Sequence, residues 1–121
     1  MARASKVLHA SAQGKMLAAG GAVLERENIT LKVAAASDCK SVARAIVKYH
    51  EEGRDIEISA IGPQSVNVAV KAAAIAQEEF LRRGIDLTLQ PRFETVHKEG
   101  EQLSALRFVV RIHPARESTA N

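Results

Sequence analysis

The strongest constraint on this chain is a change of hydrophobic period, from two to about 3.6 and back, repeated between Ile29 and Arg83. Ile29, Leu31 and Val33 alternate with Thr30 and Lys32, as a half-buried strand requires. Val42, Ile46 and Tyr49 then recur at helical spacing across residues 40–52. Ser37 and Asp38 offer N-caps before that helix and Gly53 a stop after it. Ile56, Ile58 and Ala60 repeat the strand pattern. Gly62 and Pro63 turn the chain into a longer helix over residues 64–83, with Val66, Val70, Ala73, Ala76 and Phe80 facing inward and Gly84 ending it. Leu87, Leu89 and Phe93 predict a third strand, and Leu106, Phe108, Val110 and Ile112 a fourth, with Lys98-Glu99-Gly100-Glu101 as the hairpin connection. Pro91 assigns the third strand to an edge or a bulge. The order β-α-β-α-β-β predicts an α+β fold of two layers, two helices on a four-stranded mixed sheet.

At 121 residues the chain is one domain's worth, and 46% hydrophobic with 26% charged residues is a globular rather than a disordered composition. The single cysteine, Cys39, cannot form an internal disulfide, which fits a reducing compartment. No uncharged apolar run approaches the ~18 residues of a membrane helix. Aromatic residues make up 3% with no tryptophan, which argues against a function built on stacking bases or sugars. A net charge of +3 and a pI near 9.3 permit an anionic partner without demanding one.

Residues 1–28 read as an N-terminal extension. Arg3, Lys6 and Lys15 precede any acid, but the apolar stretch 16–24 contains Gly20 and Gly21 and runs straight into Glu25, which does not suit a secretory signal. An organellar transit peptide fits the acid-poor start better; the favoured reading is a folded or floppy extension on a cytoplasmic protein. A further strand over residues 7–11 and a helix over 15–26 would make an extra β-α unit. At an offset of 25, Ala10 meets Ala35, Lys15 meets Lys40, Leu17 meets Val42 and Ala18 meets Ala43, though alanine-rich segments also match by chance. Residues 29–114 form the domain, and 115–121 a flexible tail with nothing to bury.

The run Ile58-Ser59-Ala60-Ile61-Gly62, followed by Asn67-Val68-Ala69-Val70-Lys71-Ala72-Ala73-Ala74-Ile75-Ala76, resembles the stage V sporulation protein S family, a bacterial branch of the Alba-like superfamily. Leu31-Lys32-Val33, Ser41-Val42-Ala43 and Gly84-Ile85-Asp86-Leu87 add to the likeness, which spans residues 29–114 and leaves out the extension. The resemblance implies an Alba-like fold, a homodimer, and nucleic-acid binding through basic residues near the first loop and helices and along the β-hairpin. It implies a regulatory role in the sporulation branch. One departure stands out: the family pattern has a lysine in the first strand–helix loop, near Ala36 here, and Lys40 follows a turn later.

Phosphate contact requires fixed positive charge and free N–H groups, and helix N-termini supply the second. Lys40 and Arg44 share a stripe on the first helix with Lys48. Asn67 and Lys71 are four apart on the second helix, a face open to a partner subunit or a nucleic-acid backbone. Arg92, Arg107 and Arg111 fall out of phase with the core of the last two strands and project from the outer sheet face, with Lys98 at the hairpin tip. Glu94, Glu99 and Glu101 dilute that charge and could pair with the arginines instead.

Enzyme signatures are mostly absent. Gln13-Gly14-Lys15-Met16 is similar to the end of a phosphate-binding loop, but His9 stands where its first glycine belongs and Met16 replaces the metal-binding hydroxyl. The four histidines show no metal-ligand spacing. Cys39, near a helix start beside Lys40, is more simply a buried inert thiol than a reactive one. The sequence therefore predicts a non-enzymatic, dimeric nucleic-acid-binding protein without metal, cofactor or membrane. Its alternatives are an oligomeric assembly module and, more weakly, a small-molecule anion site at the helix N-termini.

Overall fold

The computed structural model describes residues 5–9, 15–17 and 23–116, with side chains from Arg26 to Arg116. In chain order the elements are β1 (Ser5–His9), β2 (Lys15–Leu17), β3 (Val23–Glu25), β4 (Asn28–Val33), α1 (Cys39–Glu51), β5 (Asp55–Ala60), α2 (Pro63–Leu81), β6 (Ile85–Lys98) and β7 (Glu101–Pro114). From β4 onward this is the predicted β-α-β-α-β-β order, an α+β fold consistent with the Alba-like expectation. The sheet runs β1-β4-β5-β7-β6, with β4 and β5 parallel and every other pair antiparallel. Pro91 does lie on an edge strand, β6, where a missing N–H is tolerated.

Strand register aligns the core. Ile29 lies opposite Ile56, Leu31 opposite Ile58 and Val33 opposite Ala60, while Ile58 faces Phe108 on its other side. Both helices cover that face, α1 through Val42, Ala43 and Ile46 and α2 through Ala69, Ala72, Ala73, Ala76 and Phe80, all buried. Alanines let α2 lie close to the sheet, and the fully buried Phe80 fills the space beside them, its ring edge-on to His50 at 5.1 Å. Burying a ring of that kind contributes about 1.5–3 kcal/mol.

Local chemistry sets the helix starts. Asp38 caps α1 by accepting from the Ser41 amide at 3.0 Å and from its hydroxyl at 2.8 Å. At α2 the N-cap is Gly62, at φ +89°, where a side chain would be strained, and Pro63 occupies the first turn; no side chain caps this helix. The hairpin turn uses Glu99 and Gly100, both at positive φ, so Lys98 pairs with Glu101 across two residues.

Three expectations are corrected. Val70, expected inward, is 45% exposed, because the inward arc of α2 runs through Ala69, Ala73 and Ala76, and Val70 lies off its edge. Phe93, expected in the core, is 87% exposed: α2 covers the beginning of β6, where Gln77 bonds Asp86 and the Leu87 carbonyl, and Phe93 lies further toward the hairpin tip. The helix expected over residues 15–26 is replaced by a two-stranded ribbon, Lys15 opposite Glu25, Met16 opposite Leu24 and Leu17 opposite Val23. Two interior glycines would each cost such a helix ~1 kcal/mol. Among the described residues no β-α repeat precedes the domain, although β1, near the strand expected over residues 7–11, adds a fifth strand along β4. At the other terminus the Ala115 amide donates to the Gly84 carbonyl at 2.9 Å; residues 117–121 lie outside the described residues.

Candidate nucleic-acid interface

Because β4 and β5 are parallel and each leads into a helix, the starts of α1 and α2 share one end of the sheet. The β6–β7 hairpin overhangs that same end. Leu106 lies opposite Ala60, the last residue of β5, so residues 101–105 and their partners extend ~17 Å beyond the sheet as an arm.

The opposite end, where strands start and helices finish, is laced with ion pairs. Arg26 meets Asp55 at 3.8 Å. Arg54 Nε lies between Glu27 at 3.1 Å and Glu52 at 3.2 Å, with its guanidinium over the Tyr49 ring. Arg83 reaches Glu51 at 2.6 Å and Glu79 at 3.1 Å, and Arg82 shares Glu79. The Glu51 bond, followed by the Glu79 bond, holds the Arg83 guanidinium above its ordinary range.

At the helix-start end the predicted cations stand differently. Lys40 and Arg44 of α1 and Asn67 and Lys71 of α2 are all exposed. The Cys39 Sγ, 3.8 Å from the Val68 carbonyl, ties the first turn of α1 to the early turns of α2, and all four residues belong to this helix layer. Arg44 has only a long bond to the Ser41 hydroxyl, at 3.4 Å. The nearby Asp38 carboxyl is held below its usual range, first by its bonds from the Ser41 hydroxyl and amide and then by the Arg44 charge.

The other four predicted residues belong to the hairpin. Arg92 lies opposite Arg107 and Arg111 opposite Thr88, which sets all three on the sheet face away from the helices; Lys98 is at the arm tip. The eight candidates thus divide between two opposite layers within one chain. Arg107 is part-buried and doubly paired, with Nη1 donating to Glu57 and Nη2 to Glu94, each at 2.5 Å, while Glu94 also accepts from the Ser59 hydroxyl at 3.2 Å. The Glu94 bond, opposed by burial and reinforced by Glu57, raises its guanidinium above the ordinary range. This side chain braces β5, β6 and β7 together. Arg111 shares the Gln90 amide oxygen and no carboxylate, and Arg92 and Lys98 are exposed without an ion pair among the described residues. Sequence reasoning passed over Lys32, exposed on β4 at the same end and also unpaired there. Its signal was the alternation itself, which set it out of phase with Leu31 and Val33.

Among the described residues no group of three His, Cys, Asp or Glu side chains gathers as a metal site, and no helix is long and apolar enough to cross a membrane. Comparison with known proteins decides the family: a model described as Stage V sporulation protein S (SpoVS) matches residues 29–113. The chain belongs to that family. The matched region begins on β4 and ends on β7, so the SpoVS unit is the two-helix layer with the four strands beneath it. SpoVS membership supports a sporulation-related regulatory role and is not membership of a known enzyme family.

Proposed function

We propose that this SpoVS protein is a cytoplasmic, non-enzymatic nucleic-acid-binding regulator, a homodimer that holds the phosphate backbone with little sequence selectivity. The observation that carries the reading is the unequal pairing of charge. Lys32, Lys40, Arg44 and Lys98 gather toward one end without a carboxylate partner among the described residues, and Lys71, Arg92 and Arg111 extend that set on both layers. Unpaired cations in the first turns of α1 and on a projecting arm suit successive phosphates, and each contact adds a salt-dependent increment. Phosphate contacts position a protein without reading bases. Asn67 supplies a neutral donor beside them. Arg107 serves this reading as the brace that holds the arm rather than as a free contact. Pairing of two copies would bring both arms to one ligand, and the exposed Val70, Leu81 and Phe93 supply apolar surface for such pairing.

The same exposed apolar residues favour one second reading, an assembly module without nucleic-acid binding. Titration of the full chain against duplex DNA, single-stranded DNA and RNA at about 50 and 200 mM salt separates the two, with sedimentation reporting oligomeric state. The proposal expects a dimer that binds at low salt and weakens steeply as salt rises. Self-association with no binding at either salt overturns it in favour of assembly.

A further inference from the structure

We infer that the cleft between the arm and the helix starts is a binding site for a phosphomonoester with an organic body. The cleft has a volume of about 790 Å³, within the range usual for small-molecule sites, and is lined from the sheet by Thr30, Lys32 and Ser59.

Thr30 lines this cleft. It is 3% exposed, and its Oγ1 has no hydrogen-bond partner among the described residues. A buried hydroxyl is ordinarily satisfied, so an orphan one on a residue that lines a cleft of this size marks where a ligand's polar group would complete it. Charge names the ligand's other part. Arg107 and Glu94 also line the cleft, but they are committed to each other and to Glu57. Lys32 and Lys98 remain, two ammonium groups without an ion pair among the described residues, even though Glu101 lies across the hairpin from Lys98. Two uncompensated positive charges match a phosphomonoester, which approaches a dianion at neutral pH, better than a carboxylate or a phosphodiester, which carries one charge. The lining also includes the buried Ser65 in the first turn of α2, the helix that Gly62 leaves without a side-chain cap; its first amides are suited to phosphate oxygens. Ile61, Val96 and Leu103 provide aliphatic walls, which call for an organic body rather than bare phosphate, and among the described residues no aromatic ring lines the cleft to stack on it.

A phosphomonoester reaches such a site either as a free small molecule or as the terminal phosphate of a nucleic-acid strand. Calorimetric titration of the full chain distinguishes them. One arm uses glycerol 3-phosphate, hexyl phosphate, glucose 6-phosphate and AMP against inorganic phosphate; the other uses one oligonucleotide with a 5′-phosphate or a 5′-hydroxyl. The expected result is saturable binding, one per chain, with the best free ester at least tenfold tighter than inorganic phosphate, or the phosphorylated strand at least tenfold tighter than its hydroxyl counterpart. Lys32→Ala should weaken that binding about tenfold. Thr30→Val, which keeps the shape and removes the orphan hydroxyl, should weaken it threefold or more while the thermal midpoint stays the same or rises. Lys40→Ala/Arg44→Ala should weaken both oligonucleotides alike while the preference for the 5′-phosphate, or for the free ester over inorganic phosphate, persists, which keeps this site separable from backbone binding. No preference in either arm overturns the inference, as does full affinity in Lys32→Ala or in Thr30→Val.

Discussion

Where the strands begin, Arg26, Arg54, Arg82 and Arg83 each lie against at least one carboxylate; where the helices begin, Lys32, Lys40, Arg44 and Lys98 lie against none among the described residues. The two ends belong to one small layer of helices on one sheet, so fold geometry alone does not explain the contrast. A cation that already holds a carboxylate has little to gain from a phosphate, because the new contact must first break the old one. An unpaired, solvated cation has only water and counterions to give up, and release of those counterions is the source of salt-dependent affinity. One end is built to hold the scaffold together. The other is left available.

The contrast breaks most visibly if its available cations are removed. Lys40→Ala/Arg44→Ala/Lys98→Ala is expected to lower affinity for duplex on the order of 10²-fold at low salt and to reduce the log–log salt slope by about three. Filter binding over a salt series measures both. A smaller effect is expected at the brace. Arg107→Gln leaves Glu57 and Glu94 facing each other in part-buried positions, and thermal unfolding should register a loss of roughly 1–2 kcal/mol, discounted for solvent screening, with the slope changed by less than one. At the paired end, Arg82→Ala/Arg83→Ala should lower the thermal midpoint by only about 1–3 °C and leave the slope where it was. The smallest effect is a matter of pH. Because the folded Asp38 carboxyl titrates below its ordinary value of 3.8, its cap stabilises α1 fully above that pH and loses this contribution as pH falls through the lower folded value. Amide exchange at Ser41 should follow that loss, and Asp38→Asn should abolish the dependence.

Much of this molecule was legible in one dimension because its core elements are strongly periodic. β4, α1, β5 and α2 each fall within about two residues of the pattern that announced them. What escaped was what periodicity does not encode. Phe93 has the right phase for burial, but whether a residue is covered depends on how far the neighbouring layer extends, and α2 leaves it uncovered, while Val70 falls just off the narrow inward arc that the α2 alanines define. Residues 15–26 carry alanines and apolar residues that suit a helix or a ribbon, and two glycines tip the balance. The site was half legible. Exposed basic residues could be named from their phase, but their partners could not: Arg107 meets a glutamate 50 positions away and Arg83 one 32 away. Only the fold reveals that the eight candidates divide between two faces, that one is already paired with two carboxylates, and that Lys32 joins the others.

Backbone amide shift mapping of the full chain during titration with duplex DNA at low salt examines the asymmetry residue by residue. The expected perturbations cluster at Lys32, Lys40, Arg44 and along the arm to Lys98, with Arg54, Arg82 and Arg83 unmoved. Perturbations centred on the ion-paired end, or spread evenly over both, would contradict the assignment of the helix-start end as the binding surface.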